Sequence, residues 1–576
     1  MYILADMVKA YTQVPRFELC SEQVGPLPIV NHFLGRIGLD AALSAHVPGD
    51  DRRLRLDPAA ALGVVVRNLC VDHEPVYALS EWASGYEPCL LGLRPGELAL
   101  LNDDRLGRCL DRLFDADRST MLTEVVLKAV RAFGIDCTEL HNDSTSVTFS
   151  GAYRSAGGQA RGAKSTARIT FGFNKDHRPD LRQLVWILTV SADGAIPIAH
   201  RVVDGNTTDD QTHVASWDEL RRLVGRNDFL YVADSKLCTR SAMEHIDGNG
   251  GRFVTVLPRS RREDGWFRDW ATRNTPAFTE AVVVPPHRRG GEPDVLSTFE
   301  SPLGSSEGYR IIWVHSTGKK ARDATARAAR IERSERELSQ LATRLSGPKC
   351  RTKTRVAALE AAKALLEANG TTEFFELSVN EERDKTYTAS HGGSPSPKTT
   401  FRQSRSTRFR LTWKLRPHVV KRVAASDGCW PLITNDKDLS PKEILAAYRY
   451  QPHLERRHHC LKGAQSVAPV RLHSPARIEA LLCCHFVALL VHALVERQIR
   501  TAMAAAPTRT IALYPEEREC AAPSAARIFD VFAGLTRHRL YEGGRLVETF
   551  EPRLDSRQRT VLGLLGIPVG AYEASK

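Results

Sequence analysis

Between residues 138 and 257 the chain reads in the order β-β-β-α-β-α-β. Thr138–Phe149 alternates loosely, and Ala167–Phe173 and Leu184–Val190 are two further β-rich runs. Polar turns at Ser150–Lys164 and Asn174–Leu181 separate them. Helical spacing follows at Gln211–Val224. Then come a short apolar strand at Phe229–Ala233, a short helix at Ser241–Asp247 and a last strand at Arg252–Leu257. Strands that alternate with helices in this way make an α/β unit.

Helices surround this series. Before it, Ile29, Phe33, Leu34 and Ile37 form one apolar helix face, Ala59–Val71 is a second helix, and Tyr77–Trp82 begins a third. After Pro258 the chain turns irregular and basic. Tyr309–His315 reads as a strand, and Lys319–Gly347 with Arg355–Asn369 as an antiparallel helical pair broken at Gly347-Pro348. Asp384–Lys398 reads as a loop and Arg408–Arg416 as a strand. A helical stretch opens with Ser440 as N-cap and Pro441 at the first helical position. Pro452 predicts a bend near 448–452. The apolar run Ala480–Val495 is sixteen residues long, short of the about 20 that span a bilayer, so it reads as a buried core helix. Ala525–Leu535 is helical, with a hairpin near Gly543-Gly544.

Composition narrows the function. The chain has 576 residues, 42% hydrophobic and 26% charged, which excludes a disordered polymer. Its net charge of +12 suits a polyanionic partner. Twelve scattered cysteines without a CxxC pair, and no apolar leader at Met1–Gln13, predict a reduced, cytoplasmic protein. His458-His459-Cys460 and Cys483-Cys484-His485 lack the spacing of a zinc site. Gly157-Gly158-Gln159-Ala160 reads as a turn rather than a phosphate loop.

Three acids stand out by position. Asp143 sits within the first strand, Asp234 directly follows the apolar strand Phe229–Ala233, and Glu455 lies on a helix beside Arg456-Arg457-His458-His459. Reactive groups gather at strand C-termini in α/β sheets, and carboxylates are the hard oxygen ligands that Mg²⁺ takes. Asp204, Asp209 and Asp210 flank another strand-like run and compete for the same role.

With the strand order and these acids, three further stretches resemble the bacterial insertion-sequence DDE transposases. Asn174–Leu181 is similar to the family's Lys-Asp-His-Arg-Pro-Asp-Leu stretch, and Asp204-Gly205-Asn206-Thr207-Thr208-Asp209 to its Gly-Asn turn. Tyr448, Glu455 and Lys462 fit the spacing Tyr-x2-Arg-x3-Glu-x6-Lys. Gln451 stands where that pattern has Arg, with Arg449, Arg456 and Arg457 as nearby substitutes. Leu27–Leu34 and Ser80–Ala83 are similar to the N-terminal region of one subgroup.

The resemblance implies a ribonuclease H-like mixed sheet flanked by helices, a helical N-terminal domain and a large insertion after the fifth strand. The expected boundaries are 1–133, 134–257, 258–438, 439–500 and 501–576. The first would bind DNA ends or dimerise, the second and fourth make the catalytic core, the third is the insertion, and the last is a helical tail. Asp143, Asp234 and Glu455 would hold two Mg²⁺, with Mn²⁺ able to substitute. The implied reaction is cleavage at terminal inverted repeats of double-stranded DNA and strand transfer into target DNA. A homodimer on DNA is implied, with no membrane role and a nucleoid-associated place in the bacterial cytoplasm.

Tyr448 and Lys462 would face DNA. So would a cationic row in Phe401–Arg422, where Arg408, Arg410, Lys414 and Arg416 alternate with Phe409, Leu411, Trp413 and Leu415. The competing reading of that row is the solvated face of an antiparallel strand. The competing functions are an inactive DNA-binding protein of the same fold and a nuclease acting on RNA–DNA hybrids.

Overall fold

The computed structural model describes residues 17–573 except 50–53, 152, 154–157, 159, 163, 287–289, 348, 349, 391, 464, 466, 468–470, 507, 508 and 515. The expected absence of a leader at Met1–Gln13 falls outside the described residues, as do Gly157, Gln159 and Pro348. The chain divides into two compact units, Met1–Val254 with Ala447–Lys576, and Thr255–Ala446.

In the first unit, helix Leu27–Ile37 buries the expected face of Ile29, Phe33, Leu34 and Ile37 and stops at Gly38, whose φ of 67° suits a residue without Cβ. Helix Pro58–Val71 starts where the Asp57 carboxylate accepts from Ala59 N–H, with Pro58 in its first turn. The third predicted helix forms at Leu79–Ser84. Two more helices, Asp103–Asp115 and Arg118–Phe133, precede the sheet. Strand Phe17–Gln23 pairs antiparallel with Thr536–Glu542, which pairs in turn with Arg545–Phe550. The expected hairpin at Gly543-Gly544 therefore exists, and the tail is not helical throughout.

The central elements are β1 (Glu139–Phe149), β2 (Arg182–Ser191), β3 (Pro197–Val203), α1 (His213–Val224), β4 (Leu230–Ala233), α2 (Arg240–Gly248) and β5 (Arg252–Val256), followed after the second unit by α3 (Gln451–Lys462) and α4 (Pro475–Ala505). The strands lie side by side as β3-β2-β1-β4-β5. β1–β2 and β2–β3 pair antiparallel, while β1–β4 and β4–β5 pair parallel. This is a mixed sheet, and helices α3 and α4 pack on it. By length and composition α4 could cross a membrane, yet 94% of its most apolar window is buried within the protein. It is the core helix that the run Ala480–Val495 predicts.

One predicted strand is wrong. Ala167–Phe173 makes only an isolated bridge, Thr170 to Gln183, and the third strand is β3. The Gln183 side-chain amide donates to the carbonyls of Phe173 and Gly205, at 3.0 and 2.8 Å. A Cβ at Gly172 would collide with the Gly205 carbonyl. The segment thus passes close over β2 instead of running beside it. Pro197 opens β3, an edge position where a missing N–H is tolerated.

In the second unit, Thr279–Val284, Asp294–Glu300, Arg310–Ser316 and Cys429–Thr434 pair antiparallel in that lateral order. Helices Thr317–Ser346 and Arg355–Ala368 make the expected pair and bury Leu338, Leu345 and Leu366. The expected loop at Asp384–Lys398 is strand only as far as Ala389, and the next strand starts at Phe401. Phe375–Ala389 and Phe401–Leu415 form a long hairpin with fifteen aligned pairs. From Asn380 onward its outer half carries no buried residue on either face, so no buried stripe marks it as β.

Candidate active site

Register sets the site. Asn142 on β1 lies opposite Ala233, the last residue of β4. One residue further along each parallel strand come Asp143 and Asp234, which places these two side chains level on strands about 4.8 Å apart. Asp143 is half-buried within the otherwise buried β1, its side chain 23% exposed, and Asp234 is half-buried just beyond the buried β4. Burial, then the Asp143 and Asp209 carboxylates, push the Asp234 carboxyl above the usual range. An N–H bond from Lys236 (3.0 Å) works against that rise. Burial likewise raises Asp143, with Lys175 opposing.

Of the three competing acids, Asp209 belongs to this cluster. It accepts from Ser144 Oγ at 2.5 Å and pairs with Lys175 at 3.3 Å. Asp204 instead pairs with Arg168 at 2.8 Å. Lys175 sits between the acids. Its ammonium donates to Asp143 Oδ1 (3.2 Å) and to the Ser144 carbonyl (2.6 Å). Burial disfavours that charge, yet Asp143, Asp209 and Asp234 outweigh it and hold Lys175 above the usual lysine value.

The chain breaks between helix Pro441–Tyr448 and α3, where Pro452 occupies the first turn. This is the predicted bend, placed where proline starts a helix rather than kinking one. Although Tyr448, Glu455 and Lys462 are evenly spaced by seven, Tyr448 ends one helix and only Glu455 and Lys462 share a stripe of the next. Glu455 is exposed on α3, whose buried side carries Leu454, Arg457, His458 and Leu461. Burial first, and then Asp234, Glu455 and Asp143, push the Tyr448 hydroxyl up to about 12. Tyr448 is thus the common neighbour of all three expected acids. Even so, among the described residues no group of three His, Cys, Asp or Glu side chains is poised to hold a metal ion.

Lys462 pairs with Asp176 at 2.5 Å. His458 lies 3.7 Å from Asp143 Oδ2. Burial, with Lys175 and Lys462 nearby, lowers it to about 3, so the ring is neutral and the contact is not an ion pair. His213, also lowered by burial, contacts the Tyr231 hydroxyl at 3.1 Å. Arg457 cannot stand in for the Arg missing at Gln451. It is buried and spent on Glu496 and the carbonyls of Gly194 and Ala195. Arg449 and Arg456 are exposed.

The cationic row of the hairpin is laid out as predicted, with Phe409 and Leu411 buried and Arg410 and Lys414 exposed. Its surroundings are not. Arg410 pairs with Glu382 at 2.8 Å, Arg408 with Asp384 at 3.5 Å, and Lys414 stands opposite Glu376 in the register. Arg416 is half-buried just beyond the strand. The segment itself contains no acid, but the facing strand supplies them.

Sequence reasoning named Asp209 only as a competitor and missed Lys175 and His458 as site residues. The signals were present. Lys175 lies in the Asn174–Leu181 stretch, and His458 is one helical turn beyond Glu455.

The family described as "Domain of unknown function (DUF4277)" matches residues 19–127. No curated protein matches the chain. Among solved structures, the chain is similar to the cryo-EM structure of a piggyBac transposase synaptic complex with hairpin DNA. That likeness has 11% identity and a TM-score of 0.24, over 50% of this chain and 60% of that one.

Proposed function

We propose that this chain is a metal-dependent DNA transposase on a ribonuclease H-like core. The register that sets Asp143 level with Asp234 carries the reading, because it converges two half-buried carboxylates from distant sequence. Tyr448, facing those two and Glu455, adds support. So does the strand order β3-β2-β1-β4-β5. The chemistry of the donors suits Mg²⁺ or Mn²⁺: Asp143, Asp209 and Asp234, which gather around Lys175, offer the hard carboxylate oxygens that such ions take. Two such ions activate water and stabilise the leaving oxygen of a phosphodiester. Asp143, Asp234 and Glu455 would hold them.

The chain's own residues do the rest. Lys462, at the end of α3, meets a phosphate of the cleaved strand. Tyr448 packs against the sugar-phosphate edge beside the acids. Neutral His458 walls off Asp143 from the core. The substrate is double-stranded DNA at terminal inverted repeats, then target DNA, with a homodimer acting on the two ends in the bacterial cytoplasm. Residues 1–133 serve end binding or dimerisation.

The test is a plasmid carrying this reading frame's own flanking repeats, incubated with Mg²⁺ or Mn²⁺. The wild type cleaves at the repeats and joins the ends to target. Asp234→Asn binds the repeats without cutting them. Full cleavage by that variant removes Asp234 from the site. The exposure of Glu455 favours a second reading, an inactive end-binding protein, and a wild type that binds the repeats tightly but never cuts them establishes it. Competition by unrelated duplex identifies a hybrid-directed nuclease, which needs no repeat.

A further inference from the structure

Lys175 and Asp176 are neighbours in sequence and reach two different parts of the site. The Lys175 ammonium lies 3.2 Å from Asp143 Oδ1 and 3.3 Å from Asp209 Oδ2, with Asp234 close enough to raise its pKa. The next residue, Asp176, puts a carboxylate oxygen 2.5 Å from Lys462 Nζ. One prong is a cation among metal-type ligands. The other is an anion on the lysine expected to meet DNA.

The turn that presents both prongs is built. Asn174, itself buried, accepts with its side-chain oxygen from Asp176 N–H at 2.7 Å and Arg178 N–H at 3.4 Å. His177 adopts φ 57°, a conformation that non-glycine residues rarely take. Lys175 N–H donates to Ser146 Oγ at 3.2 Å, tying the turn to β1. These contacts fix the backbone so that successive side chains diverge, one inward and one toward α3.

Asp143, Asp209 and Asp234 all act on the one Lys175 ammonium, so three carboxylates crowd a single resident cation. A second, stronger cation is favoured there by Coulomb attraction in a poorly solvated place.

We propose that Lys175-Asp176 is a resident stand-in for a divalent ion and a DNA phosphate, with Lys175 and Asp209 as positioning residues that keep the acids assembled until both ligands arrive. This rests on the functional reading above. Metal binding displaces the ammonium from Asp143, and a phosphate displaces the Asp176 carboxylate from Lys462.

The experiment melts the full chain in EDTA and across a Mn²⁺ titration, for wild type and Lys175→Met. The variant is expected to melt lower in EDTA, to rise further with Mn²⁺, and to reach half its rise at about tenfold less Mn²⁺, because a competing conformer is gone. An equal or smaller rise, or an unchanged midpoint, overturns the proposal. If Lys175→Met does not fold, Asp176→Asn decides. Removing the competing carboxylate is expected to tighten binding to random-sequence duplex with the salt slope unchanged, because the same lysine meets the phosphate in both proteins. Unchanged or weaker binding overturns the proposal. A wild type that neither responds to Mn²⁺ nor binds DNA defeats the functional reading instead. A wild type that does both, with variants that match it, defeats this inference alone.

Discussion

Each unit of this chain concentrates charge in one place, and the two places treat it oppositely. Midway along β1 and just past β4, three carboxylates of like sign are drawn together around one lysine, and burial raises the carboxyls of Asp143 and Asp234. On the Phe401–Leu415 hairpin the cations stand in water, and Arg408 and Arg410 pair across the strands with Asp384 and Glu382. Exposed pairs of that kind add little, typically under about 1 kcal/mol. Converging buried like charges cost stability, and a fold keeps them where the strain serves a ligand. The acid cluster therefore reads as a site and the hairpin row as a neutralised surface over an apolar face.

The largest expected effect falls on the acids. Asp234→Asn should lower cleavage at the flanking repeats by about a thousandfold, the size of several kcal/mol of lost metal-ion stabilisation, with end binding kept in a gel-shift assay. A much smaller loss would erase the contrast between the two regions. Next is the hairpin's buried side. Phe409 is fully buried beside Leu338 and Phe374, and Phe409→Ala should cost about 4 kcal/mol in denaturant unfolding of the second unit.

Lys175→Met in EDTA should cost about 2 kcal/mol by the same measurement. That is below the figure for a fully buried pair, because the lysine side chain is 31% exposed. The smallest effects belong to the surface cations. Lys462→Ala should lower the salt slope of DNA binding by about 0.9, while Arg410→Ala leaves the slope unchanged and shifts stability by under about 0.5 kcal/mol. An Arg410→Ala slope change equal to that of Lys462→Ala would make the hairpin a DNA surface after all.

Much of the core was readable because its signals are local. Phe229–Ala233 is a run of apolar residues ending in an acid, and it is β4 followed by Asp234. The proline at 452 announced the break before α3. Ala167–Phe173 misled because alternation cannot report that Gly172 and Gly205 must pass in close contact. The strand Pro197–Val203 was missed because Pro197, His200 and Arg201 interrupt its apolar pattern. Both histidine and arginine are only half-buried at the edge of the sheet. Of the proposed site, Asp143, Asp234, Glu455, Tyr448 and Lys462 were nameable one by one. The partners that define their environment, Lys175, Asp209 and Asp176, were not assigned to them.

Sequence alone determined which segments are strands or helices wherever one face is buried, where the chain bends, and which acids follow strands. Those properties depend on neighbours a few residues away. The tertiary structure decided which strand lies at the edge, that Asp143 stands level with Asp234, and that each cation has its acid: Lys175 with Asp143 and Asp209, Lys462 with Asp176, Arg410 with Glu382. Electrostatic pairing acts through space over a few ångströms, between residues that the chain separates by tens or hundreds of positions, so no local pattern can announce it.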